Sequence, residues 1–285
     1  LLHRVLQHFS DSRIGMKLKE YLYGCIFFLG LAYIYYMFKE IDGFQNDIPI
    51  FGVLCIFKNE EMVIREWIEH YLWQGADYII LLNNGSTDNF REQLDGFDER
   101  VIVIDAPEQH AQIKNYNSFG LPEVKKRNIS MLAVVDVDEF LFSKDGSNLK
   151  SSLMRIFSEN PGVSQLSVNW TMFGSNDYNK QPNSVRLSFT KRAKDLHPNV
   201  KSILLVKEIN SIDIHSHNMN GNTKNISDTI QLNHYAIQSK EYFEKVKMSR
   251  GAVDRTDNVR NWEYFHRYDH KDEDDFLLRD YVANI

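Results

Sequence analysis

A chain of 285 residues can bury a substantial core in one large domain. Its 43% hydrophobic and 25% charged residues are those of an ordinary globular protein. A formal charge of −6 speaks against a nucleic-acid binder, which needs a basic face to neutralise phosphates.

The first expected element is an anchor. Tyr21 to Phe38, YLYGCIFFLGLAYIYYMF, contains no charged residue. As a helix it would span about 27 Å, enough for a bilayer core. Arg4, Arg13, Lys17 and Lys19 precede it, whereas Lys39, Glu40, Asp42 and Asp47 follow. The positive-inside rule then predicts a single-pass type II protein. Residues 1–20 would be cytoplasmic, 21–38 transmembrane, 39–49 a stem, 50–250 the globular domain and 251–285 a C-terminal extension. In a eukaryotic host that domain would face the Golgi or secretory lumen.

Beyond the stem, apolar runs of strand length alternate with helical patterns. Phe51 to Phe57, Tyr78 to Leu82, Val101 to Ile104 and Met131 to Val135 read as strands buried on both faces. Between the first two, Met62, Val63, Trp67, Ile68, Tyr71 and Leu72 recur at helical spacing, and Gly75 supplies a stop. A polar stretch from Gln109 to Asn117 also reads as helical. This alternation predicts an α/β, Rossmann-like, mostly parallel sheet flanked by helices, with ligands outside the carboxyl ends of its strands. Later strands are expected near 163–168, 185–190 and 203–207, followed by an amphipathic helix near 239–250. Cys25 and Cys55 fall in separate apolar runs and read as small buried hydrophobes.

The strand ends are polar: Lys58-Asn59-Glu60, Asn83-Asn84 and Asp136-Val137-Asp138. On an extended chain Asp136 and Asp138 project to one side. Two carboxylates directly after a buried strand are costly unless a cation pairs with them. A hard divalent ion, Mn²⁺ or Mg²⁺, would fit and could bridge to a diphosphate.

The ordered series Lys58-Asn59-Glu60, Arg65-Glu66-Trp67-Ile68-Glu69-His70-Tyr71, Asn83-Asn84-Gly85-Ser86-Thr87-Asp88 and Asp136-Val137-Asp138-Glu139-Phe140-Leu141 resembles the family 92 and related family 2 glycosyltransferases. Trp170-Thr171-Met172-Phe173-Gly174-Ser175, Lys201-Ser202-Ile203 and Asn233-His234-Tyr235 continue the resemblance. It implies a GT-A-type fold and metal-dependent, inverting transfer from a nucleotide-sugar donor; a UDP-sugar is the expected donor and a glycan or other hydroxyl the expected acceptor. By that resemblance Asp138 binds the metal and Asp136 the metal or the ribose. Asn59, Asn83, Asn84, Gln112 and Asn117 would line the nucleoside pocket. His215 and His217, flanking Ser216, could complete the metal sphere. Trp170 and Phe173 could form an acceptor floor, and Asp177 is the first choice for the general base, with Asp213 and Glu139 open. A non-catalytic nucleotide- or sugar-binding membrane protein on the same fold is the alternative.

Overall fold

The computed structural model describes residues 48–250 and 260–284. The expected cytoplasmic segment, anchor and most of the stem lie outside these residues. Among the described residues no helix is long and apolar enough to cross a membrane.

Residues from Pro49 onward form one compact unit. Strand β1 (Phe51–Phe57) pairs in parallel with β2 (Tyr78–Asn83) and β4 (Met131–Val134), and β2 pairs in parallel with β3 (Val101–Asp105). The order β3-β2-β1-β4 is the Rossmann-like half. Beyond β4 the sheet is mixed: β8 (Val200–Leu205) runs antiparallel between β4 and β6 (Val163–Met172). The edge is finished by β12 (Ile230–His234), parallel to β6, and β5 (Glu139–Ser143), antiparallel to β12. Short strands β7 (Lys191–Arg192), β9 (Ile209–Ser211), β10 (Asn218–Met219) and β11 (Asn222–Asn225) lie off this path.

The unbroken apolar run of β1 follows from burial on both faces. Phe51, Val53, Cys55 and Phe57 point into one core with Trp67, Ile68 and Tyr71 of helix α1 (Ile64–Trp73). Leu54 and Ile56 point into the opposite core with Tyr116, Leu121 and Val124. Each fully buried aliphatic side chain contributes roughly 1.5–3 kcal/mol. The helical pattern at Gln112 extends through a π-turn (Tyr116–Gly120) to Lys126.

Residues 185–190, expected as a strand, instead begin with a short helix, Val185–Ser188. Ser184 caps it, and the Glu66 carboxylate accepts the Val185 and Arg186 amides, so polar capping overrides the β-branched pattern. The C-terminal residues belong to the same unit. Glu273–Asp274 pairs with Lys191–Arg192, Leu278 enters the core, and the Tyr281 ring meets Phe142 of β5.

Candidate active site

Helix α1 holds the turn that carries the two aspartates. The Trp67 indole donates to the Asp136 carbonyl at 2.9 Å and the Glu139 carbonyl at 3.1 Å. The Tyr71 hydroxyl donates to the Glu139 carbonyl and accepts the Leu141 amide, and a His70 ring nitrogen lies 2.8 Å from the Leu141 carbonyl. Burial pushes His70 down to about 3, so its imidazole is neutral. The Arg-Glu-Trp-Ile-Glu-His-Tyr segment is therefore a clamp on the turn.

That turn is closed by the Glu139 amide on the Asp136 carbonyl and by the Asp136 amide on the Glu139 carboxylate at 2.7 Å. It sends the two aspartates to different lysines. Asp136 pairs with Lys201 of β8 at 2.8 Å, and Lys201 is completely buried. Asp138 pairs with Lys247 at 2.6 Å, and Lys247 also lies 3.8 Å from Glu60 at the end of β1. Burial works against the Asp138 charge, but Lys247 and His234 outweigh it and hold the carboxyl well below the usual range.

His234 Nε2 stands 3.6 Å from Asp138 Oδ2. Strand pairing places it there, because His234 lies opposite Glu139 and the Tyr235 amide donates to the Asp138 carbonyl. The expected trio of Asp138, His215 and His217 is not assembled: among the described residues no three His, Cys, Asp or Glu side chains group around one cation position. A His215 ring nitrogen lies 3.0 Å from the Val200 carbonyl. His217 accepts the Asp213 amide, and burial pushes it down to about 4. Asp138 and His234 are the pair that fits a divalent ion. Two donors 3.6 Å apart lie within one coordination sphere of bonds near roughly 2.1 Å, which Mg²⁺ or Mn²⁺ would complete with water and phosphate oxygens.

The expected nucleoside residues are largely occupied by the loops they sit in. Asn59, with φ 56°, accepts the Thr87 amide at 2.7 Å. Asn83 bridges the Asp105 carboxylate and the Ser86 amide, and Asn84 donates to the Ala106 and Glu108 carbonyls. Gln112 donates to the Tyr116 hydroxyl, and Asn117 ties its helix to Ile212. Asn83 lines one cleft and Gln112 and Asn117 another, whereas Asn59 and Asn84 line neither. One, of about 540 Å³, is lined by Asn83, Ser86, Asp88, Arg91 and Asp105. The other, of about 570 Å³, is lined by His110, Gln112, Asn117 and Ile214.

Trp170, half-buried, is ringed by histidines: His234 at 4.3 Å, His197 stacked at 5.2 Å and His215 edge-on at 5.4 Å. It therefore adjoins the Asp138–His234 pair. Phe173 does not join it as an acceptor surface. It is 1% exposed and packs on Tyr235, because its strand turns that side chain into the core. Asp177 is exposed on the loop after β6 and pairs with Lys271.

Lys201, Lys247, Glu60 and His234 also belong to this site; Glu60, Lys201 and His234 stand in segments that carry the family resemblance, whereas Lys247 does not. The signal for three of them was present: Glu60 closes the polar Lys58-Asn59-Glu60 strand end, Lys201 opens a Lys-Ser-Ile segment, and His234 ends a strand beside Tyr235.

The profile of glycosyltransferase family 92 matches residues 52–278. Among solved structures, glucosyl-3-phosphoglycerate synthase from Mycobacterium tuberculosis, with Mn²⁺, UDP and phosphoglyceric acid, is 15% identical with a TM-score of 0.30. That match covers 43% of this chain and 43% of that one, so this chain spans less than half of the mycobacterial enzyme. The same enzyme with Mn²⁺ and UDP-glucose is 15% identical over 43% of this chain and 44% of its own, with a TM-score of 0.31. A cytidylyltransferase from Leptospira borgpetersenii is 10% identical over 55% of this chain and 60% of its own, with a TM-score of 0.29. No curated protein matches.

Proposed function

The chain belongs to glycosyltransferase family 92, and from that premise we propose that it transfers a sugar from a UDP-sugar to a glycan hydroxyl with inversion at the anomeric carbon. The observation that carries the reading is the Asp138–His234 pair at the end of the strand pairs that close the sheet. When bound there, Mn²⁺ or Mg²⁺ would supply Lewis-acid stabilisation of the departing diphosphate.

The chain's own residues do the rest. Trp67 and Tyr71 fix the backbone of the turn that carries Asp138. The Trp170 ring, beside His234, is the aromatic face on which the acceptor sugar packs. We assign the proton acceptor for the attacking hydroxyl to Asp177, the exposed carboxylate on the loop leaving β6, since Glu139 is fully buried. Asp177→Asn should lower kcat while leaving UDP affinity unchanged.

Membrane attachment through residues 21–38, with the catalytic unit in the secretory lumen, is part of the same proposal. The charge asymmetry around that run supports it. Protease protection of the unit in sealed microsomes would check it.

The first test is the melting temperature of the full chain with UDP, GDP or CDP, each with and without Mn²⁺. A ligand that binds the native state alone stabilises it by mass action. The expected outcome is a rise that needs UDP and Mn²⁺ together and is lost in Asp138→Asn. No rise with any nucleotide at millimolar concentration would remove the reading.

A further inference from the structure

The two lysines that hold the aspartates are not equivalent. Lys201 sits on a central strand, wholly buried, between Asp136 at 2.8 Å and Glu139 at 3.6 Å. Lys247 is 10% exposed and ends a π-turn, Phe243–Lys247, within the helical run from Lys240 to Arg250. Turns of this kind are uncommon and concentrate at functional sites. The start of the run is fixed, because Ser239 caps it and donates to Gln181. The long stem of Lys247 leaves its ammonium able to swing without moving the helix.

The neighbours of Lys247 show what it could exchange for. Its ammonium lies 2.6 Å from Asp138 Oδ2, 3.8 Å from Glu60 Oε1 and 5.6 Å from the Tyr242 ring. The oxygen it covers is the one that faces His234. An ammonium and a divalent cation cannot share that oxygen, since like charges repel strongly at such separations. A cation arriving with a nucleoside diphosphate would displace the ammonium and at the same moment deliver the phosphate oxygens to receive it.

We propose that Lys247 is a ligand of the donor's diphosphate that rests on Asp138 when no donor is bound, excluding the divalent cation until the two arrive together. The inference deepens the glycosyltransferase reading and rests on it. It adds a phosphate-binding residue and an order: metal alone binds weakly, and metal with nucleotide binds well. Binding of each then reinforces the other, as linkage requires.

The test is calorimetric titration of the full chain with Mn²⁺ alone, and with UDP in saturating Mn²⁺. Lys247→Met removes the charge and keeps the stem. It should bind Mn²⁺ alone about tenfold more tightly, yet bind UDP about tenfold more weakly, the scale of one charge-assisted hydrogen bond. Lys247→Arg should move the metal affinity the other way by about threefold, because its fork grips a carboxylate through two bonds. A purely structural lysine would not give opposite signs for the two variants. Unchanged or weaker Mn²⁺ binding in Lys247→Met, or unchanged Mn²⁺ binding in Lys247→Arg, overturns the resting position on Asp138. Equal UDP binding in wild type and Lys247→Met overturns the diphosphate role alone. A wild type that binds no nucleotide overturns the functional reading and that role with it.

Discussion

Glu139 accepts the Asp136 amide through one carboxylate oxygen at 2.7 Å, while its other oxygen is buried without a hydrogen-bond partner. Burial pushes this carboxyl up from the ordinary 4.5 to about 7, with Lys201 opposing the rise and Asp136 adding to it. A carboxyl that holds its proton more tightly when folded loses stability as pH rises from the unfolded value to the folded one. Between pH 4.5 and 7 the contribution should therefore fall, by about 3 kcal/mol at most. Buried histidines titrate over part of the same range, so the quantity to read is the difference between wild type and Glu139→Gln in urea unfolding. The difference should shift in favour of the variant as pH rises through that window. A difference that is flat with pH would mean the carboxyl is not perturbed.

The opposite sign applies to His70. Its folded value near 3 lies below its ordinary 6.5, because burial disfavours the imidazolium. Its contribution is present above pH 6.5 and is lost as pH falls towards 3. His70→Gln keeps a donor for the Leu141 carbonyl and carries no titrating ring. It should flatten the acid limb of the stability profile below pH 6, and an unchanged limb would place the acid sensitivity elsewhere.

Gly174 answers for the closeness of the C-terminal residues. A Cβ there would lie 2.1 Å from the His270 carbonyl oxygen, a backbone atom that cannot rotate away. Gly174→Ala should cost about 2–3 kcal/mol by forcing the two segments apart. Loosening should also show as faster proteolysis within residues 260–284. A variant that melts with the wild type would mean that this approach is easily relaxed.

Much of the first half of the sheet was legible because burial on both faces leaves an unmistakable apolar run. The strands of the Rossmann-like half fall within a residue or so of where the pattern puts them. Strands β5 and β12 were harder to read. β5 begins with a charged residue, Glu139, that is nevertheless wholly buried, and β12 mixes Gln231 and Asn233 with its apolar residues. The Asp-x-Asp pair was legible, but its partners were not. Lys201, His234 and Lys247 approach it through tertiary pairing across 65, 96 and 109 positions of sequence. No local periodicity records such contacts. Asn59 and Asn83 were visible as polar strand ends, but only the fold shows their amides tying β1 to β2 and β3.

The different surroundings of the two aspartates separate what each should do when neutralised. Asp136→Asn leaves a fully buried ammonium on Lys201, with Glu139 at 3.6 Å as its remaining carboxylate. Asp136 is itself 35% exposed, so water screens part of the loss. A cost of about 2–3 kcal/mol is expected, below that of breaking a fully buried pair. Glu139 can recover some of this by releasing its proton to face Lys201, so the cost should shrink as pH rises from 6 to 8. Asp138→Asn leaves a buried ammonium on Lys247, with Glu60 at 3.8 Å as a remaining carboxylate. Because both partners are buried, its stability cost should be about 3 kcal/mol, at least that of Asp136→Asn, while Mn²⁺-dependent binding of UDP disappears. Urea unfolding and calorimetry on the two variants would read both quantities. A cost for Asp138→Asn well below that for Asp136→Asn would mean that Glu60 alone suffices to hold Lys247, and retained metal-dependent binding in Asp138→Asn would move the cation off that carboxylate.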